Sequence, residues 1–490
     1  MRQVKTQSLR SNYILSAVRI FSSALIGIGM MPYTNRILGV EVIGKYEYTL
    51  SIVNYLILFS ALGIPVYGIK AIARVRDNVE ERTKVFLELF LILIITTFLS
   101  YILLFGFIIH QNSLSAYKTL FIILGGLILL NNIGSEWYFQ GMENQLYLTI
   151  RTVIVRIIGF LLIIFLVKSP KDEVVFVAIM LFILGGANIL NIFYLFRALN
   201  IRPELFRHLN IRRHMTPIFT IFFAAVSINI YLHLDKILIG TLKGNSSVAY
   251  YTVANKIVRF VIELITMIGI VMLPRLSTLF VNDIGSYKKY VLKAMYLIML
   301  VALPFSIYLS LFAHEIIEIV GGDSFRPSAL AMQILSPLCF IVGIAYFCGY
   351  LILYTQNKEK IYTIAVAISA VFSVIVNYQA IKHFDFLGAA VVAVLSELLS
   401  VLIMVIFMKR SVLYINIWTS NFHKILSVNF IMLVVSVSYY FLYKGEIDMY
   451  LFIVTSGGFF VLYLSLLLLI KEKTMQQQIG MILKTIGYGK

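Results

Sequence analysis

The chain has 490 residues, of which 60% are hydrophobic and only 13% are charged, and its mean hydropathy is +0.92. A soluble domain carries roughly twice that charged fraction, so the composition excludes an ordinary soluble protein and indicates an integral membrane protein. The formal net charge of +18 would suit nucleic-acid binding, but the positions of the basic residues favour another explanation.

Apolar segments long enough to cross a bilayer as helices recur along the whole chain. Fourteen are predicted near residues 12–33, 48–68, 86–109, 118–139, 147–167, 173–196, 216–240, 249–273, 291–312, 329–354, 361–381, 386–408, 424–443 and 449–470. The first follows Arg2, Lys5 and Arg10 like a signal peptide, but it is too long and lacks a small-residue cleavage site, so we expect it to be retained as a span. Trp137 and Tyr138 end the fourth segment, where we favour an interfacial aromatic belt over the alternative of a platform for sugars.

Basic residues between the segments predict the orientation of the chain. With the N-terminus in the cytoplasm, the cytoplasmic connections and tail hold 26 Lys and Arg, whereas the outer connections hold nine. This asymmetry follows the positive-inside rule and explains the net charge without nucleic acid. We therefore expect both termini in the cytoplasm and the basic connection 197–214 against anionic lipid head groups.

A short string occurs twice, about 200 residues apart. Asp-Lys-Ile-Leu at 235–238 matches Asn-Arg-Ile-Leu at 35–38, and each is followed by a glycine-containing turn and a tyrosine, Tyr250 or Tyr46. Such a repeat in a membrane protein predicts two halves with a binding site between them. We predict a six-helix bundle at 1–200, a second at 201–410, and two further helices with a short cytoplasmic tail at 411–490.

The sequence contains no catalytic constellation. Gly39 to Lys45 has the spacing of a phosphate-binding loop, but Tyr46 follows where Ser or Thr is required, and the segment lies in a short outer turn. Cys339 and Cys348 share one apolar segment, so neither a disulfide framework nor a thiolate metal site is implied. The seven histidines are scattered. We therefore expect a protein that is not an enzyme and that uses no cofactor or metal.

Basic residues inside the predicted spans are informative because each costs at least about 2.5–3.5 kcal/mol to insert. There are five candidates for substrate binding: Arg19, Arg151, Arg156, Lys256 and Arg259. With about 1.5 Å of helical rise per residue, Arg19 is predicted roughly 10 Å from the cytoplasmic side. Arg156 and Arg259 are predicted nearer the midplane and Lys256 nearer the outer side. Cations at graded depths indicate a path for an anion.

Acidic residues in the spans are candidates for ion coupling, because a membrane carboxylate can bind and release a cation. These candidates are Asp235, Glu263 and Glu397. Structural interpretations remain open for three charged sites. Arg151 can extend to the cytoplasmic interface, Arg259 and Glu263 can neutralise each other four residues apart, and Glu397 can be the structural partner of a basic residue.

Several local strings resemble one family. They are Asn-Arg-Ile-Leu-Gly at 35–39, Glu-Trp-Tyr-Phe-Gln-Gly at 136–141, Asp-Lys-Ile-Leu-Ile-Gly at 235–240 and Leu-Pro-Arg-Leu at 273–276. With fourteen spans, the chain resembles the Wzx-type flippases for lipid-linked oligosaccharides, in the multidrug/oligosaccharidyl-lipid/polysaccharide exporter superfamily. The resemblance implies an all-α polytopic membrane protein with a V-shaped pair of helical bundles around a cationic cavity.

The same resemblance implies a function. The expected substrate is an undecaprenyl-pyrophosphate-linked repeat unit, moved from the inner to the outer leaflet of the bacterial cytoplasmic membrane by alternating access. Polysaccharide polymerases and glycosyltransferases are the expected protein partners. The five candidate cations come from their depth in the spans and not from the resemblance.

Two rival functions make different demands on the sequence. A cation-coupled multidrug exporter of the same superfamily needs acidic residues in its cavity to bind cationic drugs, whereas five spanning residues here are basic. A membrane scaffold for glycan-assembly enzymes needs neutral spans and large polar loops, and the sequence predicts neither.

Overall fold

A computed structural model describes residues 9–199, 202–411, 413, 415, 419–442 and 449–472. These residues contain sixteen α-helices and no β-strand, so the predicted all-α class is confirmed. The predicted C-terminal tail beyond residue 472 lies outside the described residues. The helices are α1 (Leu9–Ala61), α2 (Ile64–Arg74), α3 (Val79–Tyr101), α4 (Lys118–Gly134), α5 (Glu136–Gly141), α6 (Gln145–Leu166), α7 (Glu173–Ala198), α8 (Arg212–Lys243), α9 (Asn245–Asn282), α10 (Ile284–Leu311), α11 (Ala313–Gly321), α12 (Ser328–Leu335), α13 (Leu338–Tyr346), α14 (Glu359–Ser411), α15 (Ser420–Leu442) and α16 (Met449–Leu469).

Eleven stretches of the described chain are long and apolar enough to cross a membrane. Val18–Arg74 and Glu359–Met408 have 57 and 50 residues, more than twice the roughly 20 residues that one crossing needs. Both stretches contain a break in helical geometry, at Gly39 (φ 73°) in α1 and at Asp385 (φ 56°) in α14. Each break separates two of the predicted spans. The seventh predicted span, 216–240, lies within α8, which has 32 residues.

Many large apolar side chains lie on the surface of the described residues. Phe98, Phe165, Phe193 and Phe430 are each exposed by 65–68%. In water such a surface would drive aggregation, whereas in a bilayer it faces lipid chains at no cost. An α-helix makes its backbone hydrogen bonds within its own segment, as a membrane interior requires.

A buried aromatic cluster joins α2, α3 and α5. Trp137 and Tyr138 are only 4% and 2% exposed, and the rings of Phe86 and Trp137 stack with centroids 5.5 Å apart. Gly68 in α2 permits this packing, because a Cβ there would lie 2.5 Å from the Trp137 ring. The prediction that Trp137 and Tyr138 form an interfacial belt is therefore wrong, since tight helix packing places both rings in the protein interior.

The C-terminal helices have their own core. Phe312, Val428, Met432, Phe459 and Tyr463 are all buried where α15 and α16 pack near the end of α10. The Tyr463 hydroxyl donates a hydrogen bond of 3.0 Å to the Leu300 carbonyl of α10. The two additional helices are thus integrated into the fold.

The chain forms two compact units, one ending at Thr252 and one beginning at Val253. In the first unit, α1 packs against α4, α6 and α8, and α4 packs against α7. The division predicted at residue 200 gives α8 to the second bundle, but here α8 packs in the first unit. The predicted division at 200 and 410 rests on a sequence repeat, whereas the two units are defined by contacts within the structure. The division therefore stays a prediction.

Candidate functional site

Three of the predicted cations lie around one carboxylate in the first unit. Glu136, at the start of α5, forms an ion pair with Arg19 of α1 and a second with Arg151 of α6. The Arg151 Nη2 atom lies 2.9 Å from Glu136 Oε2, while Oε1 accepts the bond from Arg19. Gln140, one turn along α5, also donates to Oε1 at 3.0 Å. The carboxylate therefore bridges three helices.

The end of α4 sets the position of this carboxylate. Ser135 adopts a left-handed conformation (φ 40°, ψ 49°) that separates α4 from α5, so Glu136 begins a new helix in a new direction. Gly134 packs directly against Asn188 of α7, where a Cβ would collide with its side chain. Asn191 donates a 2.7 Å hydrogen bond to the Gly134 carbonyl. Close contact between α4 and α7 thus fixes the turn before Glu136.

Arg151 is almost fully enclosed, with 3% of its side chain exposed. Besides Glu136, it donates from Nη1 to Asn188 Oδ1 at 3.4 Å, and Asn188 in turn donates to Asn131 at 3.0 Å. Its guanidinium lies 5.8 Å from the centre of the Tyr147 ring. The alternative in which Arg151 extends to the interface is therefore wrong for this structure, because its charge is compensated inside the protein.

Arg156 lies five residues further along α6 and interacts electrostatically with Arg19 and Glu136. Its Nε atom is buried and has no hydrogen-bond partner, and the same is true of the Nε atoms of Arg19 and Arg151. We call Arg19, Arg151, Arg156 and Glu136 the Glu136 cluster. It holds three cations and one anion, and a third of the Glu136 side chain is exposed.

A second polar site surrounds the repeated string at 235–238. Lys236 of α8 pairs with Glu47 of α1 at 2.9 Å, and Glu47 is 2% exposed. Asp235 is also buried, at 7% exposure, and accepts a 2.7 Å hydrogen bond from the hydroxyl of Tyr251. The predicted ion-coupling residue thus lies among polar side chains of α1, α8 and α9.

The other candidates lie in the second unit. On α9, Lys256 and Glu263 are exposed and Arg259 is half-buried. No direct ion pair is found between Arg259 and Glu263, both within the described residues, but Arg259 acts electrostatically on the Glu263 carboxylate. Mutual neutralisation of the two residues therefore stays an alternative. Glu397 of α14 is half-buried and interacts electrostatically with Tyr362. The roles of all these residues stay predictions.

Sequence reasoning missed the acidic partners. The sequence patterns single out Glu136 only as part of a family string, although it is the one acidic residue in the fourth apolar segment, 118–139. An acidic residue costs as much to insert as a basic one, and this cost is the signal that points to it. Glu47 carries no such signal, because it lies between the first two predicted spans, 12–33 and 48–68.

Glu88 of α3 is a further missed residue and is fully buried. It accepts hydrogen bonds from the backbone N–H of Asn210 at 2.6 Å and from Arg213 Nη2 at 2.5 Å. His214 Nε2 lies 2.7 Å from the same carboxylate, and His214 Nδ1 lies 2.8 Å from the Tyr67 hydroxyl. This group fixes the beginning of α8 to α2 and α3. In the described residues, no group of three or more His, Cys, Asp or Glu side chains is arranged to hold a metal ion.

Two family models match the chain. The model for "Polysaccharide biosynthesis protein" matches residues 9–280, and the model for "Lipid II flippase MurJ" matches residues 151–458. A protein of Escherichia coli (strain K12) named "Putative O-antigen transporter" is 25% identical, with 83% of this chain and 98% of that protein covered. A protein of the same name from Shigella dysenteriae is also 25% identical, with 81% and 99% covered.

Solved structures share the fold. The lipid II flippase MurJ in its inward closed conformation superposes with a TM-score of 0.70 at 17% identity, covering 95% of this chain and all of that one. An inward-facing multidrug resistance transporter of the MATE family superposes with a TM-score of 0.57 at 12% identity, covering 83% and 95%. At these identities the likeness concerns the fold alone.

Proposed function

Because the chain belongs to the polysaccharide biosynthesis protein family, in the multidrug/oligosaccharidyl-lipid/polysaccharide exporter superfamily, we propose that it is a flippase for undecaprenyl-pyrophosphate-linked oligosaccharides. It moves these repeat units from the inner to the outer leaflet of the bacterial cytoplasmic membrane by alternating access. The observation that carries the proposal is the Glu136 cluster, in which three arginines surround one carboxylate among apolar helices.

The head of such a substrate cannot cross lipid without help. Its diphosphate is charged and its sugars carry many hydroxyls, and both lose their hydration in hydrocarbon. A transporter must therefore replace water with its own polar groups, while the polyprenyl chain stays in lipid. Arginine is well suited to this because its planar guanidinium makes paired, charge-assisted hydrogen bonds to phosphate.

Arg156 is the proposed first contact for the diphosphate. Its Nε atom is buried without a partner, whereas Arg19 and Arg151 already bind Glu136. A phosphate oxygen would supply the missing acceptor. Lys256 and Arg259 on α9 are proposed to bind the same head group later in the cycle, and ion release from Asp235, Glu263 or Glu397 is proposed to reset the transporter.

A multidrug exporter is the second candidate, favoured by the fold that the chain shares with MATE transporters. Cationic drugs require a site with net negative charge. The Glu136 cluster has the opposite sign, because its one carboxylate faces three guanidinium groups. The charge of the cluster therefore supports an anionic substrate.

Replacing Arg156 with Ala tests the proposal. The loss of charge-assisted hydrogen bonds worth about 1.5–3 kcal/mol should weaken substrate binding roughly ten- to hundredfold. Arg156→Lys keeps the charge without the planar fork and should give an intermediate defect. The measurement is surface polysaccharide in cells that lack the native gene, with the amount of each variant in the membrane determined in parallel.

Arg326→Ala is the matched control, because Arg326 is 60% exposed and pairs only with the exposed Asp323 among the described ion pairs. This variant should export polysaccharide at the wild-type level. Normal export by Arg156→Ala at normal protein level would contradict a role of the Glu136 cluster in substrate binding.

A further inference from the structure

We infer that Glu136 sets the net charge of its cluster to match a diphosphate that is esterified at both ends, and so selects substrates by the number of their phosphates and by whether the diphosphate has a free end. This inference rests on the proposed function. One carboxylate forms ion pairs with two of three neighbouring arginines, while the third has no ion-pair partner in the described part of the chain.

The charges of cluster and ligand can be compared directly. Three guanidinium groups and one carboxylate give the Glu136 cluster two net positive charges. A diphosphate joined to a lipid at one end and to a sugar at the other has one ionised oxygen on each phosphorus, and so two negative charges. A sugar phosphate with a single phosphorus has one. A diphosphate with a free end approaches three, because a terminal phosphate loses its second proton near about pH 6.

Matching matters because the cluster is poorly solvated. Arg151 is 3% exposed and Arg19 is 17% exposed. A surplus charge of either sign is costly beside these enclosed guanidinium groups, since water solvates them less than it does at an open surface. The doubly esterified diphosphate leaves no surplus charge, whereas the other two ligands leave one positive or one negative charge.

Glu136 also occupies the anion positions of the site before substrate arrives. Its two oxygens accept from Arg19 and Arg151, as two oxygens of a diphosphate would. Gln140 donates a further hydrogen bond to the carboxylate, at 3.0 Å, and one third of the Glu136 side chain is exposed. An incoming diphosphate that first binds Arg156 can therefore compete with Glu136 for the other two guanidinium groups. Glu136 then favours release of the diphosphate by re-forming its ion pairs with the two guanidinium groups.

The inference is tested by binding measurements on the purified full-length protein in detergent. Three soluble probes share a short citronellyl chain: citronellyl diphosphate N-acetylglucosamine, citronellyl phosphate N-acetylglucosamine, and citronellyl diphosphate with a free end. The wild-type protein should prefer the first. Glu136→Gln should bind both diphosphates at least about tenfold more tightly, should prefer the free-ended one, and should export less polysaccharide because release is slow.

A double variant separates charge from folding. Glu136→Gln combined with Arg151→Gln restores two net positive charges and removes the buried cation that the single change leaves uncompensated. It should regain the preference for the doubly esterified probe, although with lower affinity. Glu143→Gln is the matched control, because Glu143 pairs with Arg76 outside the cluster, at 2.9 Å, and should bind all probes as the wild type does.

The outcomes distinguish this inference from the function on which it rests. If Arg156→Ala weakens binding but Glu136→Gln keeps the wild-type preference, charge matching is overturned and the flippase proposal stands. If the double variant prefers the free-ended diphosphate, charge matching is likewise overturned. If the wild-type protein binds none of the probes, or Arg156→Ala has no effect, the proposed function itself fails.

Discussion

Replacing Glu88 with Gln should strongly destabilise the first unit. The change keeps the shape of the side chain but removes its charge and turns an amide N–H₂ group towards donors. Glu88 is 0% exposed, and Asn210 and Arg213 both donate to it, at 2.6 Å and 2.5 Å. His214 lies 2.7 Å from the same oxygen as Arg213. The His214 side chain is 4% exposed, so water does not readily replace Glu88 beside it, whereas Arg213 is 39% exposed and can be solvated.

The size of the effect follows from this burial. Breaking an ion pair costs about 3–5 kcal/mol when the remaining charge stays buried. Arg213 is 39% exposed, so the expected cost is that of the lost charge-assisted hydrogen bonds, about 1.5–3 kcal/mol. The entropy of unfolding is about 2.1 cal/mol/K per residue, which for 490 residues amounts to about 1 kcal/mol/K. The melting temperature should therefore fall by roughly 1.5–3 °C, because the shift equals the lost free energy divided by this entropy.

Thermal unfolding of the purified protein in detergent, followed by intrinsic fluorescence, measures the shift. Glu80→Gln is the control, since Glu80 is an exposed carboxylate in the first turn of the same helix. Limited proteolysis should also cleave the Glu88 variant faster between α7 and α8, where Asn210 loses its acceptor. An unchanged melting temperature together with unchanged proteolysis would refute the conclusion that this carboxylate anchors α8.

Two further predictions concern topology and coupling. A cysteine that replaces Lys243 or Asp323, both exposed, should react with an impermeant thiol reagent added to intact cells, whereas a cysteine that replaces the exposed Asp77 should not. Both native cysteines are buried and should not react. Labelling only at position 77 would show that the chain has the opposite orientation. If a carboxylate couples transport to an ion gradient, Asp235→Asn should abolish export at normal protein level, because it removes the charge while keeping the shape. Full export by this variant and by Glu397→Gln would leave Glu263 as the remaining candidate for coupling.

The sequence alone determined the class of the protein and the order of its helices. A bilayer interior offers no hydrogen bonds to the backbone, so apolar segments of this length can form only helices. The cost of burying charge in the same interior marks Arg19, Arg151 and Arg156 from their positions in the chain. The sequence predicts the breaks within the helices less well. Glycine readily adopts a positive φ, so a break at Gly39 is expected, whereas the positive φ of 56° at Asp385 does not follow from its residue type.

Only the tertiary structure decided which charges meet. Arg19 and Glu136 are 117 residues apart in the chain, and their contact depends on the register of α1 against α5. Periodicity shows which residues share the face of one helix, but it does not show which neighbouring helix that face meets or at what height. Arg151 is buried and paired, and Trp137 is enclosed beside Gly68, because side chains from separate helices fill the same space. That fit arises from packing between helices, which a linear pattern does not encode.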